Sequence, residues 1–345
     1  MSYMFTEIAH QPDAVASMVL KEKDRAMEIA NEIRKRDIKF ICLAARGTSD
    51  HSAVYGKYLF EINNAMPVGL ADPSVVTIYN SQMNFQQCLV IGVSQSGGSV
   101  DINEFLAHSK DNGAMTVGIT NEPNSAITHV TDFTIFCEAG TEKSVAATKT
   151  YTTSLAAFYL LSQALAGNEA GPDNLLNCSE AMRKTLVMDS MIKDRAERYK
   201  YADSTIAISR GFNYCTAMEV ALKLAETCYM RTRGYSAADL MHGPIAAVHE
   251  FDPCIVIAPP GKAEPRMLET VSRLNDRSAE TIIFASDDEI LSLASVPMKM
   301  PVKVDEELSP LVYVVPGQLL AFHLSINKGN DPDNPKGLSK VTITR

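Results

Sequence analysis

The chain repeats itself after about 165 residues, and this duplication constrains its fold more than any other feature. Residues 40–47, FICLAARG, are echoed by residues 205–211, TIAISRG. Three further pairs keep nearly the same offset: Cys88–Ile91 with Cys254–Ile257, Met115–Thr120 with Glu280–Ala285, and Ser154–Phe158 with Gln318–Phe322. Four matches at offsets of 164 to 166 residues are hard to obtain by chance, so the sequence predicts a duplicated unit.

Each copy alternates short apolar runs with longer helical patterns. Near-continuous runs of Val, Ile and Leu are typical of parallel strands that are covered on both faces. The longer segments, such as Val100–Ser109 and Val145–Ala166, are predicted to be amphipathic helices. We therefore expect an α/β protein of two tandem, doubly wound parallel-sheet domains at residues 1–170 and 201–345, with residues 171–200 as the inter-domain connection.

Composition excludes several classes of partner. With a net charge of -9 and a pI near 5.3, the chain offers no basic stripe for nucleic acid or for a membrane surface. We find neither a signal-peptide pattern at the N-terminus nor a run of 18 apolar residues, which predicts a cytoplasmic protein. The seven cysteines form no C-x-x-C pair and are expected to be buried thiols. His242 and His249 lack a third ligand nearby, so no metal is predicted.

A serine-rich turn, Ser94-Gln95-Ser96-Gly97-Gly98-Ser99, follows one apolar run and precedes a helical pattern. Hydroxyl groups, backbone N–H groups and a helix N-terminus together make a site for a phosphate. The turn has neither the lysine of a Walker A loop nor a G-x-G-x-x-G pattern, which favours a small phosphate such as a sugar phosphate. A capped helix start with no ligand is the alternative. The second copy has Pro259-Pro260-Gly261-Lys262 instead, which predicts one phosphate site per chain.

Three groups in the second half are candidates for proton transfer. Glu219, Lys223 and Glu226 share one face of a predicted helix, and we expect their carboxylates to point toward the ligand-binding edge of the sheet. His242 stands before a helix-breaking Gly-Pro and is a candidate acid or base. Lys340 is isolated between a loop and a strand-like tail. The alternatives are a solvated salt-bridge face, a structural cap and a solvated lysine, respectively.

The chain resembles proteins with two sugar-isomerase (SIS, flavodoxin-like) domains, specifically the isomerase half of glucosamine-6-phosphate synthase and the stand-alone isomerase-type glucosamine-6-phosphate deaminases. The resemblance covers nearly the whole chain and is specific for the family more than for the reaction. The motifs that carry it are Glu7–Ala14, Gly47–Ser49, Ser94–Gly97, Ala139–Glu142, Val145–Thr152, Ala221–Glu226, His242–Pro244 and Ser339–Thr342.

This resemblance implies a role for each matching residue. It places Glu226 as the base that moves a proton between C1 and C2, with Lys223 beside it. It makes His242 the group that opens the sugar ring, reaching across to a neighbouring subunit's site, and puts Lys340 over the carbonyl end of the open-chain sugar. The positions that would bind the sugar and its phosphate are Thr48, Ser49, Ser94, Gln95, Ser96, Ser99, Val145 and Ala147. No cofactor is implied. The resemblance does imply a homodimer, and apolar helices such as Thr152–Leu165 favour one.

Departures from the synthase pattern leave several functions open. Gly98 and Ser99 replace a Glu-Thr pair, Ala147 replaces a serine and Ala225 a lysine. The chain begins at the isomerase half, so we expect no ammonia source of its own. The leading hypothesis is an amino-sugar phosphate deaminase that converts glucosamine 6-phosphate to fructose 6-phosphate and ammonia. The alternatives are a fructosamine-6-phosphate deglycase, in which Arg231 and Arg233 pair with a carboxylate, an isomerase served by a separate glutaminase subunit, and a non-catalytic sugar-phosphate sensor.

Overall fold

A computed structural model describes residues 2–340, and these residues form two compact units. The first unit contains residues 10–142, 149–177 and 339–340, and the second contains residues 2–9, 143–148 and 178–338. Each unit is built around its own five-stranded sheet. The strand-like tail expected after Lys340, including Val341 and Thr342, lies outside the described residues.

Both sheets are wholly parallel and have the same strand order. The first contains β1 (Phe40–Ala44), β2 (Val68–Leu70), β3 (Cys88–Val93), β4 (Met115–Thr120) and β5 (Phe133–Phe136) in the order β2-β1-β3-β4-β5. The second contains β6 (Ser204–Ser209), β7 (Arg231–Ser236), β8 (Pro253–Ala258), β9 (Glu280–Ala285) and β10 (Val296–Lys299) in the order β10-β9-β8-β6-β7. The second order is the first one read from the opposite edge, which confirms the duplicated, doubly wound fold.

Helices connect the strands and cover the sheets. They are α1 (Tyr3–Lys35), α2 (Thr48–Asn63), α3 (Ser74–Thr77), α4 (Val100–Asp111), α5 (Ala126–Val130), α6 (Lys149–Ala166), α7 (Gly171–Thr185), α8 (Asp189–Ala196), α9 (Tyr214–Cys228), α10 (Ala237–Met241), α11 (Glu264–Asn275), α12 (Asp288–Leu291) and α13 (Ser309–Asn327). Residues 171–200, expected as a connection, are mostly helical, and α8 packs against α13 within the second unit. The predicted domain boundaries stay a prediction.

The prediction of an amphipathic helix over Val145–Ala166 is wrong. The helix, α6, begins only at Lys149, and every residue from Lys149 to Ala164 is buried. Gly56 of α2 allows the two helices to approach closely, because a Cβ atom there would lie 2.6 Å from the ring of Phe158. Since α6 keeps no solvent-facing side, it offers no apolar surface for a partner chain. The argument for a homodimer from this helix therefore fails.

Helix α13 is the core helix of the second unit. Among residues 2–340 it is the one helix long and apolar enough to cross a membrane by length and composition, but 94% of its most apolar window is buried inside the protein. It packs against α9, where Gly317 lies so close to Val220 that a Cβ atom would be 2.3 Å from a methyl group. The burial identifies α13 as part of the core of this α/β fold.

The cysteines are free thiols, and the prediction that they are buried is confirmed for all but one. Six of the seven are buried and Cys42 is partly exposed. Burial raises the pKa of Cys42 to about 11 and those of Cys178 and Cys254 to about 12. Protonated thiols of this kind are poor nucleophiles near neutral pH.

Candidate active site

The serine-rich turn joins β3 to α4 at the carboxyl end of the strand, as predicted. Gly97 adopts a φ of +61°, and a Cβ atom there would lie 2.0 Å from Oγ of Ser125, so only glycine fits. The hydroxyls of Ser94 and Ser99 are 3.0 Å apart, and the amide of Gly98 donates to Oγ of Ser96 at 3.3 Å. These contacts hold the hydroxyls together at the N-terminus of a 12-residue helix. The arrangement suits a small oxyanion.

The turn after β1 lies beside the serine-rich turn because β1 and β3 are neighbours. Thr48 and Ser49 begin α2 there, directly after Gly47 with its φ of +55°. Strand order reverses between these two strands, and doubly wound sheets bind their ligands at such a switch point. The sequence thus correctly predicted that both turns share one edge of the sheet.

An ion pair between the same two turns escaped the sequence analysis. Arg46 donates through Nε to Oδ2 of Asp101 at 2.9 Å, and Asp101 is almost completely buried in the first turn of α4. A carboxylate at this position would repel a bound phosphate. The guanidinium of Arg46 offsets that charge and adds a cation beside the serine-rich turn.

Glu142 is the partner of Lys340 and was also missed as a site residue. Its side chain is buried, and its two oxygens accept hydrogen bonds from the amide of Thr150 at 3.2 Å and from the Thr150 hydroxyl at 2.9 Å. Nζ of Lys340 lies 2.8 Å from Oε2 of Glu142, and the Lys340 side chain is 26% exposed. Lys340 is therefore anchored in the first unit rather than freely solvated.

Val145 and Ala147 belong to a short segment of the second unit. The amides of Lys143 and Ser144 donate to the buried carboxylate of Glu7, and the amide of Val145 donates to the carbonyl of Asp333 at 3.3 Å. These bonds fix the path of the segment. That Val145 and Ala147 contact the same substrate as the serine-rich turn stays a prediction.

Three charged residues of α9 form a buried ion-pair cluster in the second unit. Nζ of Lys223 lies 2.6 Å from Glu226 and 3.3 Å from Glu219, and the side chains of Lys223 and Glu219 are fully buried. Burial alone would lower the pKa of Lys223, but the two carboxylates outweigh it and raise that pKa above its ordinary range. Lys223 therefore stays charged. Glu226 is the one member with an accessible side chain, 23% exposed, so it is the member that can exchange a proton with a ligand.

The expectation that these carboxylates lie at the carboxyl edge of the sheet is wrong for Glu226. Helix α9 connects two parallel strands, β6 and β7, so it must run from the carboxyl edge back to the amino edge. Glu226 occupies the last turn of α9, about 18 Å along the helix axis from Tyr214. It therefore lies toward the amino ends of the strands.

His242 and Glu226 belong to opposite faces of the second sheet. Helix α9 covers the face toward which Gly234 of β7 points, because a Cβ atom on Gly234 would meet the backbone of Met218 at 2.5 Å. Ala237 and Leu240 of α10 instead pack with Val256 and the residues of α11 on the other face. His242 directly follows α10, and its side chain is exposed. The second unit therefore does not bring His242 to Glu226 within one chain.

Arg231 and Arg233 share the face of α10. Side chains alternate along a strand, so residues 231 and 233 point away from the face that Gly234 and α9 share. They line a cavity of about 330 Å³ at the amino ends of β6, β7 and β8, together with Val248 and Asp252. The structure thus places these arginines and Glu226 of the same chain on opposite faces of the sheet, and their pairing with a substrate carboxylate in a deglycase stays a prediction.

The comparisons with known proteins agree with this fold. The SIS domain family matches residues 36–164 and 200–328. The isomerizing glutamine–fructose-6-phosphate aminotransferase of Thermococcus kodakarensis is 36% identical, covering 99% of this chain and 58% of that protein. The corresponding enzyme of Methanothermobacter thermautotrophicus is also 36% identical, with 99% and 57% covered. The C-terminal domain of glucosamine-fructose-6-phosphate aminotransferase from Francisella tularensis superposes with a TM-score of 0.86 at 28% identity, covering 97% of this chain and 98% of that domain.

Fold and site together define a duplicated α/β protein of the sugar-phosphate isomerase class. The chain belongs to the SIS domain family, with two SIS repeats, and its relatives indicate that it is an enzyme. It spans somewhat more than half of the length of the two aminotransferases.

Proposed function

We propose that the chain is an amino-sugar phosphate deaminase that converts glucosamine 6-phosphate and water to fructose 6-phosphate and ammonia in the cytoplasm. The observation that carries the proposal is the α9 cluster, in which buried Lys223 is shared between two carboxylates and Glu226 alone reaches solvent. A solvent-accessible carboxylate in a fixed position is suited to remove a proton next to a carbonyl group. The serine-rich turn supplies the phosphate site that such a substrate needs.

Each step of the reaction needs a different group. His242 opens the pyranose ring by moving a proton between the ring oxygen and the C1 hydroxyl. Glu226 then takes the proton from C2 of the open-chain aldehyde and returns it to C1, while a proton passes from the C2 amine to the C1 oxygen. This leaves a hydroxymethyl group at C1 and an imine at C2. Water adds to that imine, and ammonia leaves as the C2 ketone forms. Lys340, anchored by Glu142, lies over the carbonyl end of the sugar, and no cofactor takes part.

We propose further that the active site is shared in a homodimer. Because Glu226 ends α9 and His242 follows α10, and these helices cover opposite faces of one sheet, a single chain does not supply both groups to one sugar through its second unit. A second copy that presents its exposed His242 to the Glu226 of this chain would complete the site.

A second candidate is the isomerase part of a glucosamine-6-phosphate-forming enzyme, served by a separate glutaminase subunit. The similarity to two aminotransferases over 99% of this chain favours it. The same residues would run the proton transfer in the opposite direction, from fructose 6-phosphate and ammonia to the amino sugar.

The test is to incubate the purified protein with glucosamine 6-phosphate and to measure ammonia and fructose 6-phosphate together. We expect Glu226→Gln to lose about 10²–10⁴-fold in rate, because it removes the base. Glu269→Gln, on an exposed carboxylate of α11, is the matched control and should keep full activity. A parent protein that makes glucosamine 6-phosphate from fructose 6-phosphate and ammonium, but shows no deamination, would favour the second candidate. Equal rates for the parent and Glu226→Gln would refute both.

A further inference from the structure

The second sheet has its own switch point, which corresponds to the phosphate-binding edge of the first. Strand β8 lies beside β6 as β3 lies beside β1. Residues 259–263 lead from β8 into α11, just as the serine-rich turn leads from β3 into α4. The turn at Gly211 after β6 flanks the same position. The duplicated fold therefore predicts a second anion site at this edge.

The carboxylate of Glu306 fills this position. Its Oε2 accepts a hydrogen bond from the amide of Lys262 at 2.7 Å, and its Oε1 accepts one from the amide of Ala263 at 3.1 Å. These amides begin α11, a 12-residue helix whose dipole favours a negative charge there. Gly261, with a φ of +146°, lets the carboxylate approach, since a Cβ atom would lie 2.4 Å from Oε2. A Cβ atom on Gly211 would lie 3.8 Å from Oε1, so Glu306 stands between both turns.

The first repeat treats the same position differently. Within residues 2–340, no carboxylate accepts a hydrogen bond from the amides of residues 95–99. The serine hydroxyls line that turn instead, and the nearby carboxylate of Asp101 is turned to Arg46. One copy of the duplicated site is thus left for an external anion, whereas the other is closed by a side chain of its own unit.

We propose that Glu306 is an internal ligand that occupies a second, small-carboxylate site, so that only the first repeat exchanges an anion with solvent. The charges around the site fit a single negative charge better than two. Lys262 and Lys303 are nearby cations, but Glu264 in the first turn of α11 and Asp287 are anions, and burial together with Asp287 raises the pKa of Glu264. A formate or acetate ion is therefore a better substitute for Glu306 than a phosphate dianion.

Glu306 also fixes the start of α13. Its carbonyl accepts a hydrogen bond from Oγ of Ser309 at 2.6 Å, and Oγ of Ser309 in turn accepts one from Nδ2 of Asn213 at 2.6 Å. Removing the carboxylate should therefore loosen the segment that leads into α13 and lower the melting temperature. A free carboxylate that enters the vacated site should restore it.

The experiment measures thermal unfolding of Glu306→Ala in sodium formate and in sodium chloride at equal ionic strength, with sodium phosphate as a third arm. We expect formate to raise the melting temperature of Glu306→Ala by about 3 °C or more over chloride, in a saturable way, and to leave the parent unchanged. Glu306→Gln is the matched control: its side chain still fills the site, so formate should give no additional gain.

The outcomes are distinguishable from those of the proposed function, because no substrate is present. A response of Glu306→Ala no larger than that of the parent would overturn the inference. A response to phosphate alone would overturn the assignment to small carboxylates. If Glu306→Ala does not fold in chloride, its refolding yield in formate against chloride is the readout, and equal yields would refute the internal ligand.

Discussion

Lys223 is a charged side chain with no exposure, and its neighbours explain why it tolerates that position. Removing an ammonium ion from water costs several kcal/mol, and a single partner seldom offsets this cost. Here Glu219 and Glu226 lie at i-4 and i+3 on the same helix, within 3.3 Å and 2.6 Å of Nζ. Of the two carboxylates, only that of Glu226 also reaches solvent. Glu219 thus belongs to the ion-pair cluster, although its side chain is fully buried.

We predict that Lys223→Met destabilises the protein by about 3–5 kcal/mol, because it removes the ammonium ion that pairs with the buried carboxylate of Glu219. Urea unfolding at pH 7 measures this loss, and Lys193→Met on the exposed face of α8 is the control, expected within about 0.5 kcal/mol of the parent. Adding Glu219→Gln to Lys223→Met should recover part of the loss. If Lys223→Met has the same free energy of unfolding as the parent, the cluster contributes nothing to the stability of the fold.

The same substitution has a definite pH dependence. The folded-state pKa of Lys223 is raised above its ordinary value of 10.5, so its pairing contributes stability that is fully present below pH 10.5. That contribution is lost as the pH rises through the folded-state pKa. The stability difference between the parent and Lys223→Met should therefore be constant from pH 7 to about pH 10 and shrink only above it.

The ion pairs of the protein show which residue contacts the sequence can predict and which it cannot. The grouping of Glu219, Lys223 and Glu226 was predictable, because helical spacing alone places them on one face. The pairing of Lys340 with Glu142 was not, since 198 residues separate them and only tertiary folding brings them together. The same holds for Arg46 and Asp101, which lie in different turns.

At the scale of elements, strand ends were easier to predict than helix ends. Parallel strands put all their carboxyl ends at one edge, so the turns at Thr48 and Ser94 could be assigned to that edge from sequence. The position of Glu226 required the direction of α9 as well, because a crossover helix returns to the opposite edge. Burial of α6 on all sides was likewise hidden, because its threonines and serines read as a polar face while their hydroxyls bond to the helix backbone.

We predict that alanine substitution has opposite outcomes at the two adjacent glycines of the serine-rich turn. Gly97→Ala should cost about 1–3 kcal/mol of stability and raise the KM for the sugar phosphate, because alanine is strained at a φ of +61° and would collide with Ser125. Gly98→Ala should be tolerated, since its Cβ atom would meet nothing closer than 3.5 Å. Thermal unfolding and steady-state kinetics on the two variants measure this contrast. Similar behaviour of both would mean that the turn does not need its present shape.

At the scale of the whole molecule, duplication supplies two similar sheets that carry different chemistry. The first sheet carries the serine-rich turn at its switch point, where we propose that the phosphate binds, and the second carries the α9 cluster and His242 after α10. Because these last two lie on opposite faces of one sheet, the proposed reaction calls for a second chain to bring them to one sugar.

A mixing experiment tests the shared site. Glu226→Gln and His242→Asn should each be inactive alone. After the two variants are unfolded and refolded together, half of the dimers should be mixed, and each mixed dimer holds one intact site, so about a quarter of the parent activity should return. A mixture of Glu226→Gln with itself, treated identically, is the control. If the active site were complete within one chain, the mixture would stay inactive.

The second unit cannot complete its folding during synthesis until helix α13 has been made. It packs along α9, yet it is separated from it by some eighty residues of chain, and α13 is among the last described elements to leave the ribosome. Until residue 327 has emerged, the side of α9 that packs against α13 has no covering layer, although β6 to β10 can already pair and α9 can pack on the sheet. The nascent second unit is therefore an incomplete domain for most of its synthesis, a state in which exposed apolar surface invites chaperones and aggregation.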